Sequence, residues 1–520
     1  MTHHDETIAR ILRSCEEEGL APRYVVGGGE HPVIVRHDAK GREVIVISDL
    51  HMAAGLDADG LYGGTENFFN DGAFARFVDT MRGAVRERGG TLIINGDVID
   101  FLRVIETPRT TAQYEEWSRM LAAIGMPRSA EELAGDIVPK ERTYGFKTHE
   151  HKSVWRLRRA MAGHPELFAA LARWLADRTN ELIIVKGNHD LEWYWRGVRD
   201  ALRLALAEEA APIVAEPIET VLVDIVLPNL HVIDDAIVID TDLYVEHGHR
   251  YDRFTYVLGE PAMVYDTKRG EKELNIPFGS FFNRYLLNRL EGVYPFIDNI
   301  RPRENILPIV MRERFPLALN LLFRHVWLLI LVLKKEKRYV RFMLARVFSF
   351  LAVLALPLGL LGFALAEGLL PSLPSTPTVT DDPTLLERGA AAVMQGLSSI
   401  GGLLLSYLLA RLVAWLQLEE PSSLDEPARN ILRNTDYRFV TMGHTHNPGQ
   451  FQIDGRWFYN TGTWIPIVEA SSAELRSDRV YTFLHLERDE ASGRLRHRTL
   501  QCWHDAAGRG EHLAIVRREE

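Results

Sequence analysis

Five times along the chain, a run of apolar and largely β-branched residues breaks off into histidine, aspartate or asparagine. Val44-Ile45-Val46-Ile47-Ser48 ends at Asp49-Leu50-His51, and Leu92-Ile93-Ile94-Asn95 ends at Gly96-Asp97-Val98-Ile99-Asp100. Leu182-Ile183-Ile184-Val185-Lys186 ends at Gly187-Asn188-His189-Asp190, and Leu243-Tyr244-Val245-Glu246 ends at His247-Gly248-His249. The last run, Arg438-Phe439-Val440-Thr441-Met442, ends at Gly443-His444-Thr445-His446. Continuous apolar runs of this length read as strands buried on both faces. In an open α/β sheet, functional side chains gather beyond the carboxyl ends of the strands. The five terminal clusters therefore predict one site.

Between these runs the spacing becomes helical. Phe74 to Arg88 predicts an amphipathic helix stopped by Gly89-Gly90. Residues 102–180 predict a helical insertion, with helical spacing over Glu115 to Ile124, Ala130 to Leu133 and Trp155 to Leu175. Asp200 to Glu209 reads as another helix. Pro32 to Val35 reads as an edge strand, and His231 to Val238, Trp457 to Trp464 and Val480 to Leu486 read as strands, with a turn at Asn460-Thr461-Gly462-Thr463. The organisation that follows is an N-terminal extension (1–42), the first part of an α/β domain (43–254), a helical lid (255–435), the second part of the domain (436–505) and a tail (506–520).

Composition narrows the function. Apolar residues make up 46% and charged residues 25%, as in ordinary globular proteins. A formal charge of -11 argues against nucleic-acid binding as the main task, so no nucleic-acid partner is expected. Cys15 and Cys502 lie near opposite ends, with neither metal-ligand spacing nor a disulfide framework, which predicts a reducing compartment. The polar segment from Met1 to Glu18 has no apolar run, so no secretory signal is expected there.

The lid holds three apolar stretches. Val347 to Ala366 and Gly389 to Ala410 are uncharged and about as long as a bilayer demands, whereas Leu317 to Leu333 carries Arg324 and His325. Asp49, Asp97, Asn188 and His444 must all meet, so the insertion begins and ends on one side and crosses an even number of times. Lys334, Lys335, Lys337 and Arg338 precede the first uncharged stretch, Arg411 follows the second, and the loop 367–388 between them is acidic on balance. The positive-inside rule then predicts a transmembrane hairpin, 347–366 and 389–410, in the cytoplasmic membrane, with both catalytic halves facing the cytoplasm. Leu317 to Leu333 reads as an interfacial helix, with the basic run after it attracting anionic headgroups of membrane lipid. The alternative is a soluble lid of buried helices.

Mixed carboxylate and imidazole donors suit Mn, Fe, Zn or Co. Asp97, with two oxygens, could bridge two ions about 3.5–4 Å apart, and such a pair activates water and clamps both oxygens of an in-line displacement at phosphorus. His249 and Asp100 read equally as ligands or as supports. Arg103, Arg250 and Arg253 closely follow the motifs. Either they meet phosphate oxygens bidentately or they are surface residues paired with nearby Glu or Asp.

The series Asp49-x-His51, Gly96-Asp97-x-x-Asp100, Gly187-Asn188-His189-Asp190, His247 and Gly443-His444-x-His446 resembles the calcineurin-like metallophosphoesterase superfamily. The resemblance covers roughly residues 43–254 and 436–486. It implies a four-layer α/β/β/α sandwich and a dinuclear site for two divalent ions, manganese first. It implies that Asp49, His51 and His446 hold one ion, that Asn188, His247 and His444 hold the other, and that Asp97 bridges them. His189, beside Asp190, would be the non-ligand imidazole that stabilises the phosphoryl oxygen or protonates the leaving group. The substrate class it implies is a phosphate ester or pyrophosphate, and the membrane-proximal layout suggests a lipid-linked one. In layout the chain is similar to the bacterial UDP-2,3-diacylglucosamine pyrophosphatase branch, which inserts a helical lid at the same place. It departs from that branch at His189, where the branch has arginine, and in its longer insertion. A membrane-anchored scaffold with a structural metal site is the reading from another class.

Overall fold

The computed structural model describes residues 3–27, 31–252, 423–469 and 480–512, with short pieces between 255 and 301 and at 474–475. The chain divides into two compact units, Met1–Ile306 with Glu420–Glu520, and Leu307–Glu419. The described residues all belong to the first. Arg253 and the apolar stretches 317–333, 347–366 and 389–410 lie outside them. Among the described residues no helix is long and apolar enough to cross a membrane.

Two multi-strand sheets form a mixed α/β sandwich. The first runs, in spatial order, Arg509–His512, Gln501–His504, Thr482–Leu486, Glu43–Ile47, Gly90–Asn95, Glu181–Val185 and Leu230–Ile233. Its last four strands are parallel. The second runs Ile34–His37, Ala236–Ile239, Leu243–Glu246, Phe439–Met442, Arg456–Asn460 and Gly449–Ile453. Leu243–Glu246 and Phe439–Met442 pair in parallel although nearly two hundred residues separate them.

Alternation along each strand divides the core. Val44, Val46, Ile93, Ile183 and Val185 of the first sheet pack with Ile237, Ile239, Leu243, Val245 and Phe439 of the second. The residues between them face outward. Ile45, Ile47, Leu92, Ile94, Leu182 and Ile184 meet Phe74, Phe77, Trp174 and Leu206 from the helices. On the other side, Val238, Tyr244, Val440 and Met442 meet Ala428 and Leu432 of helix Asp425–Asn434. Full burial of each such aliphatic side chain contributes about 1.5–3 kcal/mol. This explains why the runs are apolar at every position: each strand has a core on both faces.

The region 102–180 is helical, and local chemistry sets its boundaries. Thr110 with Gln113 and Ser129 with Glu132 form reciprocal capping boxes at the starts of Thr111–Ala123 and Ala130–Asp136. The single helical stretch expected from Trp155 to Leu175 is two helices, Glu150–Gly163 and Pro165–Ala176. Pro165 has no N–H to continue the ladder and forces His164 out of helical geometry (φ -126, ψ 54). The expected strand from His231 to Val238 is likewise two, one in each sheet. Asp234 sits at the break, where it accepts hydrogen bonds from the Tyr24 hydroxyl, the Gly27 amide and Lys186 Nζ. Gly449–Ile453, Gln501–His504 and Arg509–His512 have no apolar run, and only their antiparallel partners identify them as strands.

Candidate metal centre

All five apolar strands end at one place. Successive loops are laced together by backbone: the Asp49 amide donates to Gly96 O, the His51 amide to Asp97 O, the Asp100 amide to Met52 O and the Gly443 amide to His247 O. The Asn460–Thr463 turn lies beneath, with Thr463 Oγ1 donating to Asp49 O at 2.9 Å and Thr461 Oγ1 to Ser48 Oγ at 2.8 Å.

The chain makes steric room for this convergence. A Cβ on Gly96 would lie 2.1 Å from His247 Nδ1, and one on Gly187 would lie 2.1 Å from Asp97 Oδ1. Only glycine lets the neighbouring strand's side chain pass so close. The backbone is also strained where the candidate ligands sit. Asp49, His51, Asp97, His444 and His446 have φ between 48° and 66°. They are five of the eleven non-glycine residues with positive φ among the described residues, and such strain collects at functional sites.

The side chains form two groups that a third links. Asp49, His51 and His446 bring ligand atoms within 4.8 Å of one another, and so do Asp97, His247 and His444; His51, Asp97 and His189 do the same and join the two. His446 Nε2 lies 3.3 Å from Asp49 Oδ1 and 2.9 Å from His51 Nε2. Asp97 Oδ2 is 3.1 Å from His247 Nε2 and 3.6 Å from His51 Nε2, so it stands between the groups. Asn188 is buried in the loop after Glu181–Val185. Asn188 Oδ1, His247 Nε2 and both ring nitrogens of His444 are buried and make no hydrogen bond. Left so, each costs about 1–3 kcal/mol. A divalent cation takes these donors, so the residues fit one.

Electrostatics agree. Burial pushes the Asp49 and Asp97 carboxyls up, but His247 and the other imidazoles outweigh it and hold both below the usual carboxylate range. In turn, burial disfavours charge on His51 and His247, yet Asp100, Asp49 and Asp97 raise His51 to about 10, and Asp97 with Asp49 raises His247 to about 9. The attraction that a proton feels there is open to a metal ion.

His189 stands beside the groups, 19% exposed. The carboxylate that holds it is Asp100, at 2.7 Å from Nδ1, and not its neighbour Asp190. Asp190 instead accepts from the Gly187 and Val98 amides and the Trp193 indole, pinning the loop. Burial, with Asp97 nearby, raises Asp190 to about 6. Arg103 is buried with Nε 2.8 Å from Asp100 Oδ2, and Arg250 faces Asp235 at 3.5 Å. Both arginines thus meet carboxylates, Arg103 from a buried position and Arg250 from a partly buried one. His249 is buried against His247, ring centroids 5.5 Å apart, and burial together with that imidazole pushes it well below its ordinary value.

Two residues here escaped sequence reasoning. Asp252 is buried with Oδ2 3.5 Å from His444 Nε2, and Asn283 Nδ2 lies 3.4 Å from His189 Nδ1. Neither has a motif, and their partners lie far away in the chain. No protein-family model matches the chain, and no curated protein matches it.

Proposed function

We propose that the chain is a metallophosphoesterase of the calcineurin-like superfamily, using two divalent ions to hydrolyse a phosphate ester or pyrophosphate at the cytoplasmic face of a membrane. One observation carries the reading: buried His, Asp and Asn donors from five strand ends converge, several with atoms that make no hydrogen bond, around one carboxylate, Asp97. The order of helices, sheet, sheet and helix is also the four-layer order that the resemblance implies. Asp49, His51 and His446 would hold one ion and Asn188, His247 and His444 the other, with Asp97 shared. Such ions, manganese first, supply Lewis acidity and acidify an attacking water.

The chain's own residues supply the proton and its control. Asp100 engages Nδ1 of His189 and leaves Nε2 for the leaving-group oxygen. Arg103 pins Asp100 from behind. His189 is the general acid, and its partial exposure leaves it open to a substrate.

The test is a turnover panel with Mn on a bis-aryl phosphodiester, an aryl monoester and UDP-diacylglucosamine, with Asp97→Ala as the blank. Activity on at least one substrate well above the blank is expected, and the preferred substrate sorts a general phosphoesterase from a UDP-lipid enzyme. Rates equal to the blank on all three favour the scaffold reading. The membrane part rests on the uncharged stretches 347–366 and 389–410. The chain should stay with membranes through a carbonate wash, and full release would remove the hairpin.

A further inference from the structure

Histidine and carboxylate also converge at the far end of the two sheets. His37 closes Ile34–His37, the edge strand of the second sheet. Glu181 opens Glu181–Val185, and His231 is the second residue of Leu230–Ile233, its neighbour in the first sheet. Glu181–Val185 carries Asn188 beyond its other end, so this cluster and the metal centre occupy opposite ends of the same strand. One ring nitrogen from each histidine and one oxygen of Glu181 lie within 4.8 Å of one another.

An ordinary ion pair explains only part of the cluster. His37 Nε2 sits 2.9 Å from Glu181 Oε2, and Arg42 Nη1 sits 2.9 Å from Glu181 Oε1. Thr91 Oγ1 donates to Oε2 at 3.3 Å, which orients the carboxylate further. His231 has no such account. Its ring meets that of His37 edge to face, centroids 4.6 Å apart, and its Nε2 is buried with no hydrogen bond. A buried polar atom without a partner is costly, and an apolar residue would avoid the cost.

We infer that His37, Glu181 and His231 form a separate site for one divalent transition-metal ion, zinc by preference, that clamps the edge of the second sheet to the first. Two imidazoles and one carboxylate, with a fourth position for water, are a donor set that zinc accepts, whereas calcium and magnesium take oxygen. Arg42 and Thr91 hold the carboxylate in place, the outer support that ligands commonly have. The His37 side chain is 14% exposed, which gives the ion a way in. The ligands are 144 and 194 residues from His37 along the chain, so the clamp closes a long loop at the end of the sandwich that the metal centre does not reach.

The experiment counts zinc. Full-length chain is stripped with a chelator, loaded with zinc alone, gel-filtered and assayed for retained metal. Asp97→Ala serves as the background that empties the metal centre. In that background one equivalent of zinc is expected to remain, and adding either His231→Ala or His37→Gln should remove it. Zinc should also raise the melting temperature of the Asp97→Ala chain by several degrees and leave the double variants unmoved. His37→Gln lies on a sheet edge, so it covers the case in which His231→Ala fails to fold. Equal zinc in the background chain and both double variants would overturn the clamp. That result would leave the phosphoesterase reading intact, because the turnover panel tests the other end of the sheet.

Discussion

The candidate metal centre and the helical region around Asp136 both bury histidine against carboxylate, yet they are finished in opposite ways. Asp136 Oδ2 lies 2.8 Å from His151 Nε2 and 3.0 Å from Lys152 Nζ. Lys152 reaches both oxygens of Glu141 at 2.9 Å, and Glu271 faces Arg128 at 3.1 Å. Every one of these carboxylates meets a cation from the chain itself. Burial raises Asp136, but His151 and Lys152 outweigh it and pull it below the usual carboxylate range. In the candidate metal centre, Asn188, His247 and His444 keep atoms with no hydrogen bond, on loops where five candidate ligands have left-handed backbone. The same residue types therefore make a charge-paired network in one place and a candidate site in the other. What separates them is whether the protein supplies the positive charge, and whether strain is retained to aim the donors.

This contrast can be broken or sharpened by experiment. The largest effect is expected from Asp97→Ala, which removes the carboxylate between the two groups. Turnover should fall by about three orders of magnitude or more, with loss of bound Mn read by elemental analysis, while the fold persists by circular dichroism. Unchanged metal content would break the assignment of Asp97. His189→Ala should cost about 10²- to 10⁴-fold in kcat and keep both metals. Metal loss in that variant would make His189 a ligand and sink its role as acid. At the paired cluster, Lys152→Met leaves Asp136 and Glu141 buried without their cation, and should destabilise by about 3–5 kcal/mol in urea unfolding. Metal content should not change. If it fell instead, the division between network and site would be wrong.

The smallest effect concerns His164, which sits buried between Glu66 and Asp71. Burial lowers it, but the hydrogen bonds to Asp71 and Glu66 win and raise it to about 9. A group raised on folding contributes its full stability below its unfolded value, about 6.5, and loses it as pH rises toward 9. A contribution of roughly 3 kcal/mol should therefore disappear across that window. His164→Gln should flatten the slope of unfolding free energy against pH, and an unchanged slope would place the titration elsewhere.

Much of the fold can be read along the chain because each central strand has a core on both faces and must be apolar throughout. Glu43–Ile47, Leu243–Glu246 and Phe439–Met442 fall within a residue of the runs that predict them. The polar strands at one rim of the first sheet escape for the converse reason: Gln501–His504 and the edge strand Arg509–His512 are mixed in polarity and exist through their partners. The break at Pro165 follows a local rule that helical periodicity overrides when read alone. The split at Asp234 is a tertiary event, since Tyr24 and Lys186 come from distant segments.

The candidate site divides along the same line. The sequence by itself determined which residues stand at the strand ends, because a two-faced strand must finish in a polar turn and those turns carry Asp49, Asp97, Asn188, His247 and His444. It also determined that the glycines beside them are small enough for close approach. Only the tertiary structure decided who holds whom. Asp100 rather than the adjacent Asp190 grips His189, Asp252 reaches His444, and Arg103 turns to Asp100. Neighbours in sequence point to different sides once the backbone leaves a strand, and hydrogen-bond partners are chosen by distance in space across the converging loops.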